Sequence, residues 1–138
     1  MIKFTVFGEP TAQGRPRFAV INGHAIAYDP AKSRDYKQAV KAAALPVKPK
    51  ALLDGPLQLT VMIYKSLPKS MCRLSRAKAM AQEIQPTTKP DIDNVVKAVC
   101  DSLNKLIWYD DSQIVTMYVS KWYSDEPRVE ISIKEAGS

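Results

Sequence analysis

Apolar and polar residues alternate strictly through Ile2-Lys3-Phe4-Thr5-Val6-Phe7, the period of a strand with one buried face, so the chain is expected to open on β-structure. Glycine, proline and polar residues from Gly8 to Arg17 break the alternation and read as a loop. Phe18 to Tyr28 sets Asn22-Gly23 between two short apolar runs, a hairpin signal because both turn residues tolerate positive φ. Asp29-Pro30 offers a cap and a proline at the first helical position, and Ala39, Val40, Ala43 and Ala44 recur at helical spacing as far as Leu45. After a linker from Pro46 to Pro56, the alternation of Leu57, Leu59, Val61 and Ile63 predicts a strand ending at Tyr64. Lys65 to Leu74 is a basic loop, and Ser75 is placed to cap a helix running through about Ile84.

Pro90 disfavours helical backbone at Lys89, so a further helix is expected to begin just after Asp91. Val95, Val96, Val99, Leu103 and Leu106 form its buried stripe, and Asp93, Lys97 and Asp101 share another face. Gln113 to Ser124 reads as a strand, Val129, Ile131 and Ile133 mark a last one, and Asp125-Glu126-Pro127 turns between them. Two or three helices set among four or more strands predict an α/β or α+β fold, with helices on a mixed β-sheet. A length of 138 residues suits one domain spanning 1–138.

Composition narrows the picture. No apolar run approaches the roughly 20 residues of a membrane helix, and the amino terminus enters a strand at once, so the chain is expected to be cytoplasmic and unprocessed. Cys72, Cys100 and the single His24 have neither a disulfide framework nor zinc-ligand spacing. The net charge of +6 is unevenly spread: residues 1–90 hold 15 Lys and Arg against 5 Asp and Glu, whereas residues 91–138 hold 5 against 9. A basic surface with a local acidic patch is what a protein needs to dock a polyanion while holding a cation against its phosphates.

That acidic patch is concentrated at Asp91 and Asp93, followed by Lys97 and by the adjacent Asp110-Asp111. Each has an ordinary explanation. An aspartate at a helix start can cap free amides, Asp93 and Lys97 are spaced as a surface pair, and Asp110-Asp111 can belong to a turn. As an ordered set they suit hard-cation chemistry. Mg²⁺ is held by few carboxylates together with water and phosphate, and a lysine one turn into the helix would face that phosphate.

The run Asp91-Ile92-Asp93-Asn94-Val95-Val96-Lys97, then Asp101-Ser102-Leu103 and Trp108-Tyr109-Asp110-Asp111-Ser112-Gln113, resembles the signature of RusA-like Holliday-junction resolvases. Gly8-Glu9-Pro10 with Gly14-Arg15-Pro16-Arg17-Phe18 resembles the amino terminus of many members. The resemblance implies a homodimeric endodeoxyribonuclease, often encoded by prophages, that uses Mg²⁺ or Mn²⁺ to nick opposed strands of a four-way DNA junction in recombination and repair. It assigns Asp91, Asp93 and Asp111 as metal ligands and Lys97 as the essential lysine. The interval from Asp101 to Asp111 is slightly short, which leaves Asp110 as an alternative third ligand. A C2 dimer would present two identical sites to a substrate of approximate two-fold symmetry.

Arg15, Arg17, Lys69, Arg73, Arg76 and Lys89 are the basic residues expected to contact DNA phosphates. Trp108 is expected to plug the core rather than stack on a base. The alternative function is a non-catalytic, basic nucleic-acid-binding dimer whose aspartates are caps and turn residues.

Overall fold

The computed structural model describes residues 1–14, 17–28 and 31–137, with the backbone alone for Arg17 and Tyr28. The cap expected at Asp29-Pro30 and the phosphate contact expected of Arg15 lie outside the described residues, as does the side chain of Arg17.

Four strands form one mixed sheet: β1 (Ile2–Phe7), β4 (Leu57–Ser66), β5 (Ile114–Ser124) and β6 (Arg128–Glu135), in the spatial order β1-β6-β4-β5. β1 and β4 both run antiparallel to β6, while β4 and β5 are parallel. The connection through Asp125, Glu126 and Pro127 therefore passes the end of β4 to reach its far side, and does not close a hairpin. A parallel pair needs a long crossover. Here the chain between β4 and β5 supplies α2 (Arg73–Met80) and α3 (Ile92–Leu103).

Alternation buries one face of this sheet. Leu57, Leu59, Val61 and Ile63 of β4 are fully buried, and Val129, Ile131 and Ile133 of β6 lie beside them. α1 (Ala31–Ala44) and α3 cover that face, contributing Tyr36, Val40 and Ala44 from the first and Val95, Ala98, Val99 and Leu103 from the second to one continuous core. Trp108 is completely buried in this core. The opposite face carries Gln58, Thr60, Met62 and Tyr64 of β4, all half-buried. There the Arg128 guanidinium lies 4.0 Å from the Tyr64 ring centre, close enough for a cation–π contact.

β2 (Arg17–Ile21) and β3 (His24–Tyr28) form a separate two-stranded ribbon. Its turn, Asn22-Gly23, has φ of 51° and 76°, the left-handed pair that a tight hairpin requires. The second helix departs from expectation. It begins at Arg73 and ends at Met80, and Cys72 is its N-cap without a side-chain hydrogen bond. Ser75 lies inside the helix and accepts a hydrogen bond from the Cys72 thiol at 3.2 Å. No helix among the described residues is long and apolar enough to cross a membrane.

Candidate active site

α3 starts where the sequence places it, with Asp91 as N-cap in extended backbone (φ −74°, ψ 139°). The capping hydrogen bond is not made: the Asp91 side chain accepts from no helix amide. The surface pair expected of Asp93 and Lys97 is not made either, because the Lys97 ammonium lies 3.5 Å from Asp101. Asp101 is also 3.5 Å from Lys37 of α1. Two carboxylates at one helix entrance are thus exposed and take part in no hydrogen bond or ion pair among the described residues. Both of the ordinary explanations for them lack their contacts.

Asp91 lines a groove of about 950 Å³ between the loop following β1 and the start of α3. Glu9, Lys32, Lys65, Lys89 and Asn94 line it too. The loop is tied down on both sides: the Gln13 amide donates to the Asn94 carbonyl at 3.0 Å, and the Gly14 amide donates to the Ser33 hydroxyl at 2.8 Å. The groove thus joins two carboxylates, Glu9 and Asp91, to three lysines, a lining with a net positive charge toward a phosphate chain.

The neighbours Asp110 and Asp111 are used differently. Asp110 caps the three-ten turn Asp111–Gln113, accepting from the Ser112 amide at 3.0 Å and from the Ser112 hydroxyl. Those hydrogen bonds hold its carboxyl below the usual carboxylate range. Gln113 closes the box by accepting from the amides of Tyr109 and Asp110, and its own amide group donates to the carbonyls of Leu53 and Gly55. Asp111 instead accepts one hydrogen bond at Oδ1, from the indole nitrogen of buried Trp108 at 2.8 Å. Trp108 is therefore a core plug, as the sequence suggests, and also the anchor of this carboxylate.

Asp111 lies within electrostatic reach of Cys100 on α3. Burial, then the charges of Asp111 and Asp101, push the Cys100 thiol up to about 12. Asp111 and the middle of α3, which carries Lys97 and Asp101, therefore belong to one neighbourhood. Among the described residues no three His, Cys, Asp or Glu side chains stand together as a ready ligand set. The donors nevertheless fit a hard cation in kind: Asp91 and Asp93 are oxygen donors without a partner among the described residues, and Asp111 keeps one oxygen clear of its indole anchor.

Of the residues expected at DNA, Lys89 lines the groove, while Lys69 and Arg73 are exposed around the basic loop. Arg76 spends Nε and one Nη on the carbonyls of Met71, Pro68 and Lys69, so it shapes that loop from within. Sequence reasoning missed Lys121. Its ammonium donates to the carbonyls of Thr88 at 2.7 Å and Pro90 at 2.9 Å, directly ahead of Asp91. The available signal was a lysine breaking the apolar alternation of a predicted strand, two residues after Val119.

The sequence profile of the endodeoxyribonuclease RusA family matches residues 8–134. The chain is 49% identical over 139 residues to YqaN, an uncharacterised protein of Bacillus subtilis (strain 168), covering 99% of this chain and 98% of that protein. It is 32% identical over 129 residues to the crossover junction endodeoxyribonuclease rusA of Lactococcus phage r1t, covering 91% and 90% of the two chains.

Proposed function

The chain belongs to the RusA endodeoxyribonuclease family, and from that premise we propose that it is a metal-dependent nuclease that resolves four-way and other branched DNA by paired nicks. The observation carrying this reading is that Asp91 and Asp93 stand at the entrance of α3 without the cap or ion pair that would explain them as structural residues. Asp91, Asp93 and Asp111 would hold the ion, Mg²⁺ or Mn²⁺ in its place. Mg²⁺ completes its shell with water and phosphate, so it does not require a finished cage of protein ligands. When bound, such an ion polarises the scissile phosphate and makes a water acidic enough to attack it.

The remaining roles follow from side chains in place. Lys97 is 61% exposed and, among the described residues, is held at 3.5 Å by Asp101 alone, which leaves its ammonium available to a phosphate oxygen as charge develops there. Trp108 fixes one Asp111 oxygen and leaves the other outside that bond. Asp110 caps its turn through one oxygen, whereas Asp111 is the carboxylate whose charge acts on Cys100 of α3, which favours Asp111 as the third ligand. Lys32, Lys65 and Lys89 line the groove that Asp91 enters, and Lys69 and Arg73 extend positive charge over the basic loop. Contacts of that kind fix the register of the DNA without reading its sequence.

A homodimer is part of the proposal, because resolving a junction takes two symmetric nicks. The β2–β3 ribbon supports it: Phe18 and Val20 are 74% and 76% exposed, Ile21 and Ile26 also face solvent, and none of the four belongs to the core. An exposed apolar ribbon of this kind marks a contact surface.

The test uses an end-labelled four-way junction and a linear duplex of the same sequences. The wild-type protein is expected to nick the junction in two opposed strands with Mg²⁺ or Mn²⁺, to stop in EDTA, and to spare the duplex. Binding without cutting, across both ions and several branched substrates, would return the protein to the class of non-catalytic binders.

A further inference from the structure

Lys121 lies opposite Ile63 in the parallel pairing of β4 and β5, and so on the face where Ile63 is fully buried. Lys65, two residues past Ile63 on β4, lies on the same face. Alternation reserves both positions for apolar side chains, yet each carries an ammonium. A half-buried charge is costly unless it is hydrogen-bonded, and these two are satisfied in an unusual way. Lys121 donates to the carbonyls of Thr88 and Pro90 at 2.7 and 2.9 Å. Lys65 donates to the Thr88 hydroxyl at 2.6 Å and to the Lys89 carbonyl. Neither has a carboxylate partner among the described residues. The Gln85 side chain adds a bond to the Lys121 carbonyl at 3.2 Å, fastening the segment ahead of α3 to β5 once more.

The segment held in this way ends at Asp91, whose side chain makes no bond of its own to the helix. Asp91 is therefore held through its backbone, on one side by the Val95 amide donating to its carbonyl and on the other by the segment that the two lysines fasten. We infer that Lys121, assisted by Lys65, is a positioning residue for the cation site: it fixes Thr88–Pro90 so that Asp91 is presented to the ion. This inference rests on the nuclease reading for the identity of the ligand, and its test does not require cutting.

The probe is Mn²⁺, titrated against full-length protein with free ion read by electron paramagnetic resonance, alongside hydrogen exchange of residues 86–92. Outer contacts that orient metal ligands are worth about 10- to 100-fold in affinity. Lys121→Met is expected to weaken Mn²⁺ binding by about that factor and to speed exchange in 86–92 while leaving β1 and β6 protected; Lys121→Arg recovers most of both. Wild-type Mn²⁺ affinity in Lys121→Met would overturn the inference, as would faster exchange throughout the sheet that Lys121→Arg does not reverse. If Lys121→Met does not fold, Lys65→Met carries the same two readouts, and unchanged Mn²⁺ affinity there is equally fatal. A wild type that binds no Mn²⁺ overturns it too. A wild type that binds Mn²⁺ and cuts no branched DNA defeats the nuclease reading alone, and the affinity comparison still decides the role of Lys121.

Discussion

Asp110 secures its turn by accepting from both the amide and the hydroxyl of Ser112 at Oδ2. Asp111 gives up one oxygen to an indole and keeps the other. Asp110→Asn is expected to cost some stability through that cap and, with Asp111 as the proposed third ligand, to leave junction cleavage near wild type, whereas Asp111→Asn removes cleavage. Initial rates on a labelled junction separate the two, and equal loss from both would show that this division is wrong. Reactivity of the cysteines reports on the same neighbourhood. Burial and the charges of Asp111 and Asp101 raise the Cys100 thiol to about 12, while hydrogen bonds with Ser75 lower that of exposed Cys72. Only the thiolate is alkylated, and its share at a given pH falls as the pKa rises. At pH 8 in EDTA, iodoacetamide is expected to label Cys72 and leave Cys100 unmodified, as read by mass spectrometry of the intact protein and its peptides.

Elements that bury one face in a regular period were legible in the sequence, because local pattern decides them. The alternations in β1, β4 and β6 and the stripe of Val95, Val99 and Leu103 all lie where the pattern puts them. Within the site, the placement of Asp91 at the start of α3 and the burial of Trp108 were legible for the same reason. Features set by distant partners were not. Nothing local announces that β6 lies between β1 and β4, or that β5 joins the far edge in parallel. The start of α2 was misplaced because its cap, Cys72, uses no side-chain acceptor, while Ser75, a good cap by type, lies inside the helix. Lys121 was visible only as an interruption of a pattern and Lys65 was read as the start of a basic loop, because the strand that carries it runs on to Ser66; the partners of both are more than 20 residues away. One element-level consequence is measurable. Leu103, fully buried at the end of α3, anchors the helix that carries Lys97, and Leu103→Ala is expected to cost about 2–5 kcal/mol in urea unfolding. A loss below about 1 kcal/mol would mean that α3 is not seated in the core as described.

At the scale of the molecule, charge and chemistry occupy different stretches of one chain. Residues 1–90 are strongly basic and residues 91–138 are acidic, and the groove at Asp91 is where they meet. Phosphate neutralisation by the basic side releases counterions, so junction affinity should fall with salt by about 0.9 log units per log unit for each phosphate engaged. A flat salt dependence in a fluorescence-anisotropy titration would contradict the proposed docking surface. The central claim is narrower: the carboxylates at the entrance of α3 make this family member a catalyst rather than only a binder. Asp93→Asn tests it most directly, since the change keeps the side-chain shape and removes the charge, and Asp93 has no hydrogen bond or ion pair among the described residues to lose. Cleavage of the labelled four-way junction in Mg²⁺ should disappear while junction affinity stays at or above that of the wild type; undiminished cutting by Asp93→Asn would contradict the account.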